Sequence, residues 1–190
     1  MLRSVLLIAL FALSATAGAQ GFGYNYLQAS YGTVSFDDSV VDVDGSGFGI
    51  SGSYAFNEDF YFAGEYQTAD MDFGVDLNIL ELAVGYHTAL SDKLDLTAKF
   101  GYLNAEIEAA GFGSSDDDGF LIGGGVRGAL SDTVELNGGI DYIDFDQGGG
   151  ETRANVGFLF GLTDTMTVGA KASFWDDINV YQVNLRFDFE

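Results

Sequence analysis

The chain has 190 residues, with 27 Gly, 17 Phe and 10 Tyr but no Pro and no Cys, a length that suits one domain. Its formal net charge is -22 and only seven residues are Lys or Arg. That balance excludes nucleic acid as a partner, because phosphate binding needs clustered cations, and the absence of Cys fits an exported protein without disulfide chemistry.

The elements follow in chain order. Met1 to Ala19 read as a secretory signal peptide: Arg3 gives the positive start, Val5 to Leu13 the apolar run, and Ala17-Gly18-Ala19 the small-residue cleavage site. The apolar run is too short to span about 30 Å of hydrocarbon. Residues 20–190 then form one domain. Within it, four short connections share a pattern of a bulky apolar residue, polar turn formers and another bulky apolar residue. They are centred on Asn57-Glu58-Asp59, Ser91-Asp92-Lys93, Ser131-Asp132-Thr133 and Thr163-Asp164-Thr165, residue types whose side chains bond to local backbone. Between them lie acidic, Gly-rich links at Asp37–Ser46, Asp70–Asp76, Glu106–Asp118, Asp146–Thr152 and Asp176-Asp177. This is an internal repeat of hairpin units.

Strands are expected near 24–36, 47–56, 60–69, 77–89, 94–105, 119–130, 134–145, 152–162, 166–175 and 178–189. Most match the ~9–11 residues that cross a bilayer at a tilt. Their apolar rows alternate with polar ones: Phe48, Ile50, Tyr54 and Phe56 in the second strand, Leu80, Leu82, Val84 and Tyr86 in the fourth. Leu94, Leu96, Ala98, Phe100 and Tyr102 form the row of the fifth, and Ala154, Val156, Phe158, Phe160 and Leu162 that of the eighth. In the first strand Leu27, Ala29 and Tyr31 compete with Tyr26, Val34 and Phe36. The final strand sets Tyr181, Val183, Leu185, Phe187 and Phe189 against Gln182, Asn184, Arg186 and Asp188, a strict period of two.

Residue size separates the membrane reading from a soluble barrel with an apolar interior. The polar rows are small (Gly47, Gly49, Ser51, Ser53; Gly123, Gly125; Gly157, Gly161), which suits the crowded inside of a narrow barrel, and the aromatics then face lipid. The expectation is an all-β, closed antiparallel transmembrane β-barrel of ten strands, with eight as the alternative count. Short turns would face the periplasm and acidic loops the surface.

Five cations fall on the polar rows: Lys99, Arg127, Arg153, Lys171 and Arg186. The same rows carry Glu65, Glu81, Asp95, Glu135, Asp141 and Asp188. Charges facing a narrow lumen must be paired or hydrated, so a lumen network of Glu65, Glu81, Lys99, Arg127, Asp141, Arg153, Lys171 and Arg186 is expected to plug the barrel. The alternative is a water-filled lumen with independently solvated charges; the plug is favoured because ten strands enclose far less space than the strands of porins. Counting outward from the turns puts Glu65 opposite Glu81, with Lys99 one diagonal step beyond, and His87 opposite Asp95.

No catalytic or metal site and no cofactor motif emerges. Gly47-Phe48-Gly49-Ile50-Ser51-Gly52 spells G-x-G-x-x-G, but no helix follows it as a nucleotide site requires. Asp42-Val43-Asp44-Gly45-Ser46-Gly47 resembles the start of a calcium loop, yet Ser53 stands where an EF-hand needs Glu. With Asp116-Asp117-Asp118 it makes the acidic loops candidate sites for divalent cations that bridge lipopolysaccharide phosphates.

The signal peptide, the Tyr24-Asn25-Tyr26 opening, the repeated short turns and the aromatic final strand together resemble the small outer-membrane β-barrel family of Gram-negative bacteria. More narrowly, the chain is similar to the branch once proposed as activators of plant immunity. The resemblance implies the outer membrane as location, lipid and lipopolysaccharide as surroundings and the barrel-assembly machinery as a partner in insertion. It implies no catalytic residues. One departure is Glu190 after Phe189, where such strands end on the aromatic. The functional expectation is a non-enzymatic structural or surface protein, with a narrow channel and an adhesin acting through the acidic loops as rivals.

Overall fold

A computed structural model describes residues 22–37, 42–111 and 113–189. The signal-peptide reading of Met1–Ala19 and the position of Glu190 lie outside the described residues. Ten strands follow one another: β1 Tyr26–Asp37, β2 Asp42–Ala55, β3 Phe60–Met71, β4 Val75–Ser91, β5 Leu94–Ala109, β6 Gly113–Ser131, β7 Val134–Phe145, β8 Gly149–Gly161, β9 Met166–Trp175 and β10 Ile178–Asp188. Each pairs antiparallel with its sequence neighbours, and β1 pairs with β10 from Tyr26↔Asp188 to Phe36↔Ile178. The sheet therefore closes on itself and leaves no unpaired edge.

Two ends of the barrel differ. At the turn end, side chains of the connections satisfy the backbone: Asn57 Oδ1 accepts from the amides of Asp59 and Phe60 at 2.9 and 2.8 Å. Ser131 Oγ likewise accepts from the Val134 amide at 3.1 Å. At the other, the loop end, the strands run further than side-chain alternation suggests. β5 and β6 take in Glu106–Ala109 and Gly113–Asp118, with Asn104↔Asp118 and Ala109↔Gly113 still in register. The calcium-like stretch also lies in a strand, since Asp42 to Gly47 pair with β1. Asp and Gly signal turns, but an antiparallel ladder pairs backbone to backbone and tolerates them where the side chains face solvent. The acidic links thus shrink to hairpin connections, one of them the short 3-10 turn Asp72–Gly74, where Phe73 and Gly74 both adopt positive φ. The first strand starts at Tyr26 rather than 24, because Phe22 to Asn25 leave the ladder.

The period-two rows sort cleanly between outside and inside. Phe48, Phe100 and Ile140 are 67%, 61% and 61% exposed, and each is one of many apolar side chains on the outer wall. A belt of that extent is far larger than the apolar patches of soluble monomers. In β1 the outer row is Leu27, Ala29 and Tyr31, while Tyr26, Val34 and Phe36 turn inward.

Candidate functional site

The lumen is filled in three storeys, each made by the inward row at one depth. The lowest lies at the turn end. Here the residues preceding β1 fold into the mouth, and the Gly23 carbonyl accepts from Arg127 Nη1 and Arg186 Nη2, both at 2.9 Å. Arg127 also grips Glu135 with two nitrogens at 2.7 and 2.9 Å and lies over the rings of Tyr24 and Phe22. Arg186 binds Asp188 and stacks on Tyr26, 3.9 Å from the ring centre. Tyr24 Oη donates to Asp95 at 3.0 Å and its ring stacks on His87 at 3.8 Å. His87 Nδ1 is 3.5 Å from Asp95 Oδ2, although the strand register sets His87 opposite Thr97.

The middle storey is built from charge. Arg153 on β8 donates through Nε to Asp141 at 2.9 Å and through Nη2 to Glu81 at 2.6 Å. Lys99 on β5 meets the same two carboxylates, Glu81 at 2.8 Å and Asp141 at 3.3 Å. Two anions and two cations close a neutral cluster, the arrangement under which buried charge is tolerable. Glu81 sits on β4, four strands from β8, so the Arg153–Glu81 contact crosses the lumen. A second crossing joins Lys171 on β9 to Glu65 on β3 at 3.4 Å.

Register explains which residues meet. Glu65 does face Glu81, but each carboxylate has its own cations. Lys99 is opposite Gly85, and Glu81 is opposite Leu103, so the expected single diagonal step is a correction: the offset is four residues. The pairing centres on Asp92, as Ala89↔Asp95 shows, one residue later than the centre at Ser91 implied by His87 opposite Asp95, so every partner moves by two; the long lysine stem spans the difference. Gly123 makes room for the cluster, since a Cβ there would stand 2.0 Å from Asp141 Oδ1. A polar cavity of about 250 Å³ runs among these groups, with Gln28, Ser51, Thr97, Asn137 and Asn155 in its wall.

A layer of amides caps the charges. Gln67 donates to Glu65 at 2.7 Å and accepts from Gln182 at 3.2 Å. Above it the inward rows turn apolar, which the sequence reading missed. Leu103, Leu121 and Ile143 are 0% exposed and pack with Ile79, Ala105 and Phe145. Beside them a mostly apolar pocket of about 160 Å³ is bounded by Val34, Phe36, Leu77, Trp175, Ile178 and Val180. The available signal was the conflict within the first strand, where Val34 and Phe36 break the polar row. Among the described residues no group of three or more His, Asp or Glu side chains is placed to hold a metal.

Comparison with known proteins bears on fold. The translocator domain of the autotransporter NalP from Neisseria meningitidis aligns at 11% identity and TM-score 0.53, covering 90% of each chain. The KdgM porin aligns at 12% identity and TM-score 0.49, over 86% of this chain and 99% of that one. The N-terminal β-barrel domain of Pseudomonas aeruginosa OprF aligns at 15% identity and TM-score 0.47, over 87% and 100%. No curated protein matches the sequence. A family model described as outer membrane protein beta-barrel domain matches residues 4–174, and with a closed barrel clad in exposed apolar side chains this chain belongs to that family and resides in the outer membrane.

Proposed function

We propose that this protein is a non-enzymatic, non-conducting barrel with a structural role in the outer membrane, its lumen locked by ion pairs. The observation that carries the reading is the Arg153 guanidinium, which ties Glu81 on β4 to Asp141 on β7 across the lumen. An ion that passed would have to part charges held at hydrogen-bond distance in a narrow space, and breaking a buried pair is costly. The Gly23 clamp adds a second closure at the turn end. We assign outer-membrane lipid and lipopolysaccharide as the surroundings of the outer rows, and the barrel-assembly machinery as the partner that inserts the chain.

The test is conductance of the refolded chain in planar bilayers, with a heat-dependent gel shift verifying that the barrel has folded. Silence from inserted barrels is expected, and discrete current steps would overturn the closed reading. A narrow channel is the second reading, favoured by the polar cavity beside the network; it requires steps whose size changes in Lys99→Gln or Arg127→Gln. An adhesin is the third. Its supporting observation is Phe73, 80% exposed at the tip of the β3–β4 hairpin, between Asp72 and Asp76; the proposed divalent-cation sites are the stretches Asp42–Gly47 and Asp116–Asp118.

A further inference from the structure

We infer that the loop-end storey is a binding pocket for one uncharged alkyl or acyl chain carrying an acceptor oxygen. The proposal does not depend on whether the lumen conducts, because the pocket lies above the Gln67–Gln182 layer. Three observations lead to it.

The first is shape. The pocket is concave and about 160 Å³; Gln67, Thr68, Gln182 and Glu151 stand in its lining, but its walls are mainly aliphatic and aromatic side chains. A cavity of roughly 150 Å³ lined by such groups stays dry and accepts a six-carbon hydrocarbon. Water gains little in such a space, while an alkyl chain leaving water gains with each methylene it buries.

The second is polarity inside the pocket. Trp175 is 7% exposed and lines the wall, yet its indole Nε1 is buried without a hydrogen-bond partner. Buried donors normally find an acceptor. That nitrogen is closed to a water-sized atom in this conformation. An alcohol, ester or amide oxygen on the incoming chain pairs with it by displacing the side chains that cover it, which a pure hydrocarbon has no cause to do.

The third is the charge at the mouth. Glu151 stands in the lining, and Asp70, Asp72, Asp76, Asp176 and Asp177 lie at the hairpin ends around it. The Lys and Arg residues of the sequence are at positions 3, 93, 99, 127, 153, 171 and 186, none in a loop-end connection. A fatty-acid anion would enter against this field, whereas an uncharged head crosses it without penalty.

Trp175 is the one tryptophan of the chain, so its fluorescence reports on the pocket. The full chain, refolded in phosphatidylcholine vesicles and checked by gel shift, is titrated with 6-bromo-1-hexanol, whose bromine quenches indole. Saturable quenching is expected, with 6-bromohexanoate at neutral pH and 1-bromohexane each at least tenfold weaker. Ala69→Phe and Ala105→Phe fill the pocket from two walls and should each abolish the saturable phase. Should either fail to fold, the other variant and the wild-type ligand comparison still decide. Quenching that rises linearly and equally in wild type and a folded filled variant would overturn the proposal, as would equal affinity for the bromohexanoate anion. A further arm uses vesicles of phosphatidylcholine brominated on its acyl chain. Quenching there that the filled variants lose assigns the chain to membrane lipid; quenching by bromohexanol alone assigns it to a soluble compound.

Discussion

The inner row of β10 reads Asp188, Arg186, Asn184 and Gln182 from the turn end, then Val180 and Ile178. That of β7 reads Glu135, Asn137, Gly139 and Asp141, then Ile143 and Phe145. One wall therefore carries two interiors, a charged one below the glutamine layer and an apolar one above it. Each obeys a different rule of stability. The two charged storeys are stable only while every charge keeps its partners, and the upper one depends on filled volume. A barrel interior need not be uniformly polar for its outside to be uniformly apolar, since alternation fixes the face of a residue but not its depth.

The contrast can be broken most sharply at its centre. Arg153→Met leaves Glu81 and Asp141 with Lys99 alone, and unfolding by urea in a lipid or detergent environment should show a loss of about 3–5 kcal/mol. Adding Glu81→Gln should recover a large part of that loss; a single variant as stable as wild type would mean the middle storey is not held by charge. In the upper storey Leu103→Ala should cost about 2–4 kcal/mol by the same measurement, from lost transfer energy and the cavity left behind. Here Glu81→Gln should recover nothing, which separates the two rules. A smaller effect is expected at the turn end. Tyr24→Phe removes the phenol donor from Asp95 and should cost about 1 kcal/mol, with the ring stack on His87 retained.

Much of the barrel was legible in the sequence because its causes are local. A period of two in Tyr181–Phe189, turn formers around Asn57 and Ser131, and small residues such as Gly123 on the inner row each act over a few residues. Other features depend on distant partners and were not legible. The reach of β5 and β6 into Glu106 and Asp118 comes from backbone pairing, to which side chains are nearly indifferent. The offset between Glu81 and Lys99 is set by where the β4–β5 turn centres, at Asp92 rather than Ser91. The apolar upper storey was hidden because Ile79, Leu103 and Ile143 fall on rows that are otherwise polar, and alternation carries no information on depth. Tyr24 looked like the start of a strand, since nothing nearby announces that two arginines from β6 and β10 will hold its neighbour's carbonyl.

The seam between β1 and β10 has a consequence for how the molecule comes into being. Tyr26 bonds into a ladder with Asp188, so the wall is completed by two segments almost a full chain apart. Closing so long a loop costs entropy before any pairing rewards it. Until β10 arrives, β1 offers an open row of peptide groups to whatever strand is near. The barrel therefore cannot be finished strand by strand during synthesis. Its first strand must be kept from wrong partners until the tenth is present, and a chain truncated before β10 would keep an open edge in place of a closed cylinder.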